Sequence, residues 1–427
     1  MYRIPYGKGH LTFSLPAGMR GTVVESRPMP PLEDVPAAVR EALAHPVGSP
    51  PLRALARPSD RVCIAFTDMT RACPDHLLVG PILEELHAAG VSEENITFLC
   101  AVGMHRPSTE AEKIAKLGVE VVRRYRVVDH DARDPEGLVD LGKTASGVPL
   151  SVNRLAYEAD LLIATGIVEP HQYAGYSGGA KTLSVGAAGE AMIAYTHGPQ
   201  MLEHPGTRLG RIEGNPFREA LEEAARRAGL RFIVNVVLDE EKRVVAVRAG
   251  DPIAAFRELV AVARALYEVP IPQQYDVAIA GVGFPKDANL YQASRAPTYL
   301  HFAPTPVVRP GGTYIVPAAC PEGAGEGAGE QRFYQALKEA RSMPALVDRL
   351  RREGYPPGEQ RAFIVAKVLC EAQILIVGAA HPEVVREVKM VPMATMEEAL
   401  AWVQERQGRE LDVLIVPHAL LTLPVVQ

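Results

Sequence analysis

The feature that most constrains this chain is a rhythm of short apolar runs, each bounded by a stretch of helical periodicity. "RVCIAFTD" (61–68) leads into "HLLVGPILEELHAAG" (76–90), and "NITFLCAVG" (95–103) leads into "STEAEKIAKLG" (108–118). "ADLLIATGIVEP" (159–170) and "RFIVNVVLD" (231–239) continue the series, with "PFREALEEAARRAGL" (216–230) and "DPIAAFRELVAVARALY" (251–267) as helices. The runs are rich in β-branched and aromatic residues and show no alternation of apolar and polar. Such strands are apolar on both faces, which implies a parallel sheet covered by helices on each side. The pattern restarts after residue 275 with "DVAIAGVG" (276–283), "GGTYIVPAA" (311–319), "AQILIVG" (372–378) and "LDVLIVP" (411–417), and "TMEEALAWVQERQG" (395–408) is a helix.

A chain of 427 residues exceeds what one core usually holds. The expected fold class is α/β with two domains, 1–270 and 271–427, each a mostly parallel sheet flanked by helices. The active site is expected in the cleft between them. Proline-rich "EVPIPQQYD" (268–276) reads as the linker, about which the domains would close. The opening residues suggest a hairpin around Gly7 and Gly9, and 31–45 a helix. Ser108 is a plausible N-cap, "EVVRRYRVVDHD" (120–131) gives no clear reading, and glycine-rich "PEGAGEGAGE" (321–330) reads as a loop at a strand exit.

The net charge of −6 gives no global reason to expect nucleic acid or an anionic membrane as a partner. No apolar stretch is long enough to span a bilayer, and "MYRIPYGKGHLTFSLP" lacks the apolar run of a signal peptide, so a cytoplasmic protein is expected. The five scattered cysteines argue against a disulfide framework.

In open α/β sheets, ligands bind beyond the carboxyl ends of the strands. Here those ends deliver Asp68, Thr70 and Arg71 in "DMTRACP", His105 and Arg106 in "GMHRP", and His171 and Lys181 in "HQYAGYSGGAK". Histidine exchanges protons near neutrality, and arginine offers a planar fork to a carboxylate. Two histidines on separate loops suit acid–base work on both faces of one carbon of a small carboxylic acid. Gly175 and the pair Lys181–Thr182 also mimic a nucleoside-triphosphate loop, G-x-x-x-x-G-K-[ST], but Ala180 replaces its second glycine. "TLSVGAAGE" after the lysine is a poor helix start for such a loop.

The set "DMTR" (68–71), "GMHRP" (103–107), "HQYAGYSGGAK" (171–181), His197 and "LYQASR" (290–295), in this order, resembles the nickel-dependent lactate racemase family. The resemblance covers most of the chain, including the opening "PYGKG". It implies a racemase or epimerase of a small 2-hydroxyacid that works by reversible hydride transfer. It also implies a nickel pincer nucleotide, a pyridinium mononucleotide bearing a thioamide and a thiocarboxylate, joined to Lys181. By the same resemblance His197 ligates nickel, and His105 and His171 are the opposed catalytic acid/bases. Gly178, Gly179 and Asp68 fall to the cofactor's surroundings, Asp68 orienting a base or arginine. Arg71, Tyr291, Gln292 and Arg295 fall to the substrate. Cofactor-biosynthesis enzymes would be maturation partners. Two positions depart from the family pattern: Arg295 stands where the family has lysine, which leaves the identity of the 2-hydroxyacid open, and Val185–Gly186 stands where proline-glycine is usual.

Three other readings remain at this stage. One is a hydrolase or lyase with zinc on His105, His171 and His197. Another is a pyridoxal-phosphate enzyme with Lys181 as Schiff base. The last is a non-catalytic relative that binds a hydroxyacid or nucleotide.

Overall fold

The structure, a computed structural model, describes residues 1–356 and 358–427. The chain divides into two compact units, one of residues 28–196 and 211–266, the other of 1–27, 197–210 and 267–427. The division is therefore not the single cut near residue 270 that the linker suggests. Met19–Val23 explains why the first residues join the C-terminal unit: it is a parallel edge strand on Leu411–Val416.

The first unit is built on a six-stranded sheet. Val62–Thr67 lies between Ile96–Ala101 and Leu161–Ile167, all parallel. Arg126–Asp129 extends one side and Leu230–Leu238 the other. Val244–Gly250 closes the sheet as an antiparallel edge against Leu230–Leu238. The central strands are buried throughout, and Phe66, Phe98, Ile163 and Val234 pack with Leu78, Ile82 and Leu86 of the helix Asp75–Ala88. Asp75 starts that helix and Pro81 sits within it, apolar side chains covering the sheet on this face.

The second unit holds a six-stranded sheet that is parallel throughout: Met19–Val23, Leu411–Val416, Tyr275–Ala280, Val308–Pro317, Gln373–Val377 and Val391–Met393, in that spatial order. The fold class expected from the sequence is the one found.

Several local expectations change. The N-cap of the helix Glu110–Leu117 is Thr109, not Ser108, because Thr109 and Glu112 form a reciprocal capping box. Residues 119–129 split into a helix, Val119–Arg124, and a strand, Arg126–Asp129. The expected linker is a strand, Glu268–Ile271, parallel to Leu423–Val426; its prolines suit a short two-stranded edge. The glycine-rich segment is tied down: Asn289 Nδ2 donates to Glu322 at 3.0 Å and to Glu330 at 3.3 Å, and its last residues open the helix Ala328–Glu339.

Candidate active site

Because 161–167, 62–67 and 96–101 are neighbouring parallel strands, their carboxyl ends lie side by side. The exit from 62–67 is central, and it carries Asp68 and Arg71. His105 and His171 leave from the strands on either side.

Asp68 is buried, and its Oδ2 lies 2.7 Å from His105 Nδ1. Thr70 Oγ1 donates to Asp68 Oδ1 at 2.7 Å. Burial works to raise the Asp68 carboxyl, but the hydrogen bond and charge of His105, the Thr70 hydroxyl and Arg71 outweigh it and hold the group below its ordinary value. A charged Asp68 fixes the His105 proton on Nδ1 and leaves the Nε2 lone pair as a base. His105 itself is exposed, so that lone pair is accessible.

His171 is held the opposite way. Its Nδ1 accepts the backbone N–H of Tyr173 at 3.3 Å and of Ala174 at 3.1 Å. A backbone N–H only donates, so the proton of the neutral ring is on Nε2. One ring presents a lone pair at Nε2 and the other an N–H there.

The loop from 171 to 181 is not slack. Gly175, Gly178 and Gly179 all have positive φ, where a side chain would be strained. A Cβ on Gly178 would meet Val168 at 2.7 Å and Asn235 at 2.8 Å, and one on Gly179 would meet the Phe256 ring at 2.9 Å. These glycines admit protein rather than leaving room for a ligand, and the Gly179 N–H is already given to Asn235 Oδ1 at 2.7 Å. Lys181 opens a one-turn helix, Lys181–Ser184, although the sequence after it reads as a poor helix start. At the next turn Gly186 O accepts from Gly103 N at 2.8 Å, which ties this segment to the His105 loop. Gly186 has no room for a Cβ, while Val185, at φ −124°, holds a conformation closed to proline, so this turn differs from a proline-glycine turn.

Burial holds the Lys181 amine well below the ordinary lysine value. Arg71 and Arg218 push it the same way, against Glu169 and Asp68. Among the described residues no carboxylate forms an ion pair with it. A neutral amine is a nucleophile, and that is what a covalent attachment needs.

The remaining candidates belong to the second unit. His197 is half-buried, and its carbonyl accepts from the Tyr355 hydroxyl at 2.8 Å. Asn289 caps the helix Leu290–Ala293 through Gln292 N. Tyr291 packs edge-on against Phe333, with Arg361 over its ring at 5.7 Å. Gln292 Oε1 and Arg295 Nε are buried without a hydrogen-bond partner. Among the described residues no three His, Cys, Asp or Glu come together as a metal-holding group, the arrangement that a zinc held by protein alone would need. No described helix is long and apolar enough to cross a membrane.

Sequence reasoning missed the support under the central loop. Lys116 and Asp75 form a buried ion pair at 2.5 Å. Lys116 Nζ also donates to Thr67 Oγ1 at 3.0 Å, Cys73 O at 2.7 Å and Arg71 O at 3.4 Å. Asp75 in turn accepts from Thr67, Cys73 and Thr165. The loop that bears Asp68 and Arg71 is thereby fastened to the sheet. In sequence Lys116 looks like any lysine on an amphipathic helix.

Comparison with known proteins places the chain in a family. The sequence models of the lactate racemase N-terminal and C-terminal domains match residues 6–210 and 272–423. The lactate racemase of Lactiplantibacillus plantarum is 33% identical over 387 residues, 90% of this chain and 89% of its own. That of Thermoanaerobacterium thermosaccharolyticum is 31% identical over 424 residues, 97% of this chain and 96% of its own. The solved structure of the lactate racemase apoprotein from Thermoanaerobacterium thermosaccharolyticum superposes with a TM-score of 0.89 at 29% identity, covering 100% of this chain and 99% of that one. A crystal structure of a Thermotoga maritima protein shares the fold alone, at 19% identity and a TM-score of 0.67, covering 93% of this chain and 99% of that one. The chain belongs to the lactate racemase family and is an isomerase, a racemase.

Proposed function

We propose that the protein interconverts the enantiomers of a small 2-hydroxyacid by moving a hydride off and back onto C2, with His105 and His171 managing the hydroxyl proton. The observation that carries this reading is the contrast between the two rings: Nδ1 of His105 is hydrogen-bonded to a carboxylate, and Nδ1 of His171 to two backbone amides. His105 Nε2 accepts the proton of the substrate hydroxyl. His171 Nε2–H hydrogen-bonds that oxygen and polarises it while keeping its proton, and the proton held on His105 Nε2 returns to the oxygen as the ketone becomes alcohol again. Arg71, half-buried at the central strand exit, takes the substrate carboxylate.

The residues fit the nickel pincer nucleotide that the family resemblance implies. Lys181, with a desolvated amine and no ion-pair partner, would hold its thioamide, and the imidazole of His197 suits nickel beside soft sulfur ligands. When bound, the group supplies the acceptor and donor of hydride. Arg295 and Gln292, whose Nε and Oε1 atoms are buried without partners among the described residues, would bind polar groups of the substrate, and Arg295 in place of the family's lysine leaves the identity of the acid open.

The test is a screen of chiral 2-hydroxyacids for loss of optical activity, using protein co-expressed with the cofactor-making enzymes. At least one acid should racemise; a screen in which none does, with loaded protein, sinks the reading. On the acid that works, Asp68→Ala should lower kcat/KM about 10²–10⁴-fold, the usual contribution of an oriented base. The carboxyl of Asp68 is depressed in the fold, so its contribution to stability is present above the ordinary aspartate range and is lost as pH falls through the lowered value. Acid titration of wild type and Asp68→Ala should therefore converge only below that range.

A further inference from the structure

Arg218 is among the largest fully buried side chains of the protein, at 2% exposure, and no carboxylate is hydrogen-bonded to it. It sits on the helix Pro216–Arg227, whose N-cap is Asn215. Its guanidinium donates to three carbonyls of the lysine loop: Ala174 O at 3.3 Å, Gly178 O at 3.2 Å and Tyr176 O. The guanidinium lies 4.3 Å from the centre of the Phe256 ring. Asn215 Nδ2 grips the same loop one step earlier, at Tyr173 O, 2.8 Å away. A Cβ on Gly175 would collide with Arg211 O at 2.0 Å. The whole turn from His171 to Lys181 is thus wrapped around one buried cation.

Among the described residues no carboxylate is hydrogen-bonded to this buried arginine, and the charge of Glu222 on the same helix offsets only part of the cost of burying it. Three carbonyl hydrogen bonds and a ring face offset part of that, and the fork geometry explains why arginine rather than lysine stands here. The same carbonyl bonds are available from neutral donors, as Asn215 demonstrates, so shaping the loop does not by itself require a charge. What the charge adds is its effect on Lys181, which faces Arg71 and Arg218 as cations and Glu169 and Asp68 as anions.

We propose that Arg218 is a positioning residue for the loading of Lys181: it moulds from within the loop that delivers the lysine, and it sets a second fixed cation beside the amine. This rests on the reading of Lys181 as the attachment point. Burial is the main cause of the depressed Lys181 value, and Arg218 adds to it alongside Arg71, so the uncharged, nucleophilic form of the amine is favoured.

The test uses the full chain made without the cofactor-making enzymes. Trace acetylation with acetic anhydride across a range of pH, read at the Lys181 peptide by mass spectrometry, reports the neutral fraction of that amine. Wild-type Lys181 should label at neutral pH where surface lysines barely do. In Arg218→Gln the whole labelling profile of Lys181 should shift to higher pH, because one of the cations that disfavour its charged form is gone. Unchanged Lys181 labelling in folded Arg218→Gln overturns the proposal. Should Arg218→Gln not fold, Arg218→Met decides, because an unshifted Lys181 labelling profile in that folded variant also overturns it. Failure of the attachment reading looks different: wild-type protein co-expressed with the cofactor-making enzymes would carry no added mass on Lys181, whatever the acetylation profile.

Discussion

Lys181→Arg is expected to reduce racemisation to background, a fall of at least about 10⁴-fold, because enzymatic accelerations start near 10⁶ and the hydride chemistry resides in the cofactor. Arginine keeps the positive charge and much of the length, so a merely electrostatic or structural lysine would tolerate it. A guanidinium is not deprotonated in a protein and forms no such bond. It also places a permanent charge near Arg71 and Arg218, where burial and those cations favour the uncharged form of the native amine. Intact mass and metal analysis after co-expression with the cofactor-making enzymes checks the cause: the adduct mass and the nickel should both vanish in Lys181→Arg and appear together in wild type. Retained racemisation in the variant would remove Lys181 from the mechanism.

Lys116→Met should be the most destabilising single change outside the cores, at about 3–5 kcal/mol, because it strands the Asp75 carboxylate in the interior. The ammonium is 5% exposed and the carboxylate fully buried, so solvent screens the pair little. The loss should show in urea unfolding. The double variant Lys116→Met with Asp75→Leu should recover most of it, since apolar replacement of a whole buried pair is often neutral. The double variant should nevertheless stay poor in catalysis, because the carbonyls of Arg71 and Cys73 lose their anchor and the loop bearing Asp68 is released. If the double variant is as unstable as the single one, the pair is not what the interior depends on.

The sheets were legible because each central strand is apolar on both faces, as in "CIAFT" and "LLIATGI", and only a strand covered on both sides can be. The spatial order of the strands was not legible, nor was the antiparallel edge Val244–Gly250, since pairing partners leave no mark on a single strand. The strand Glu268–Ile271 hid behind Pro270 within it and Pro272, Gln273 and Gln274 just after it; its partner, Leu423–Val426, lies far along the chain. Among site residues, Asp68, His105, His171 and Lys181 stood out as polar groups at strand exits. Arg218 and Lys116 did not, because "FREALEE" and "AEKIAKL" read as ordinary amphipathic helices and the burial of one charge per helix is set by what packs against it. Gly178 and Gly179 were visible as necessary glycines, but the sequence could not tell whether a ligand or Phe256 and Asn235 filled the space.

The most direct measurement follows deuterium. A single enantiomer of a racemised 2-hydroxyacid, labelled with deuterium at C2, is incubated with loaded enzyme in ordinary water and the inverted product is isolated. Hydride leaving C2 and returning to the opposite face keeps the label, so the inverted product should retain deuterium at C2. Inverted product carrying hydrogen from water at C2 would mean that the carbon is deprotonated and reprotonated, and would contradict the account.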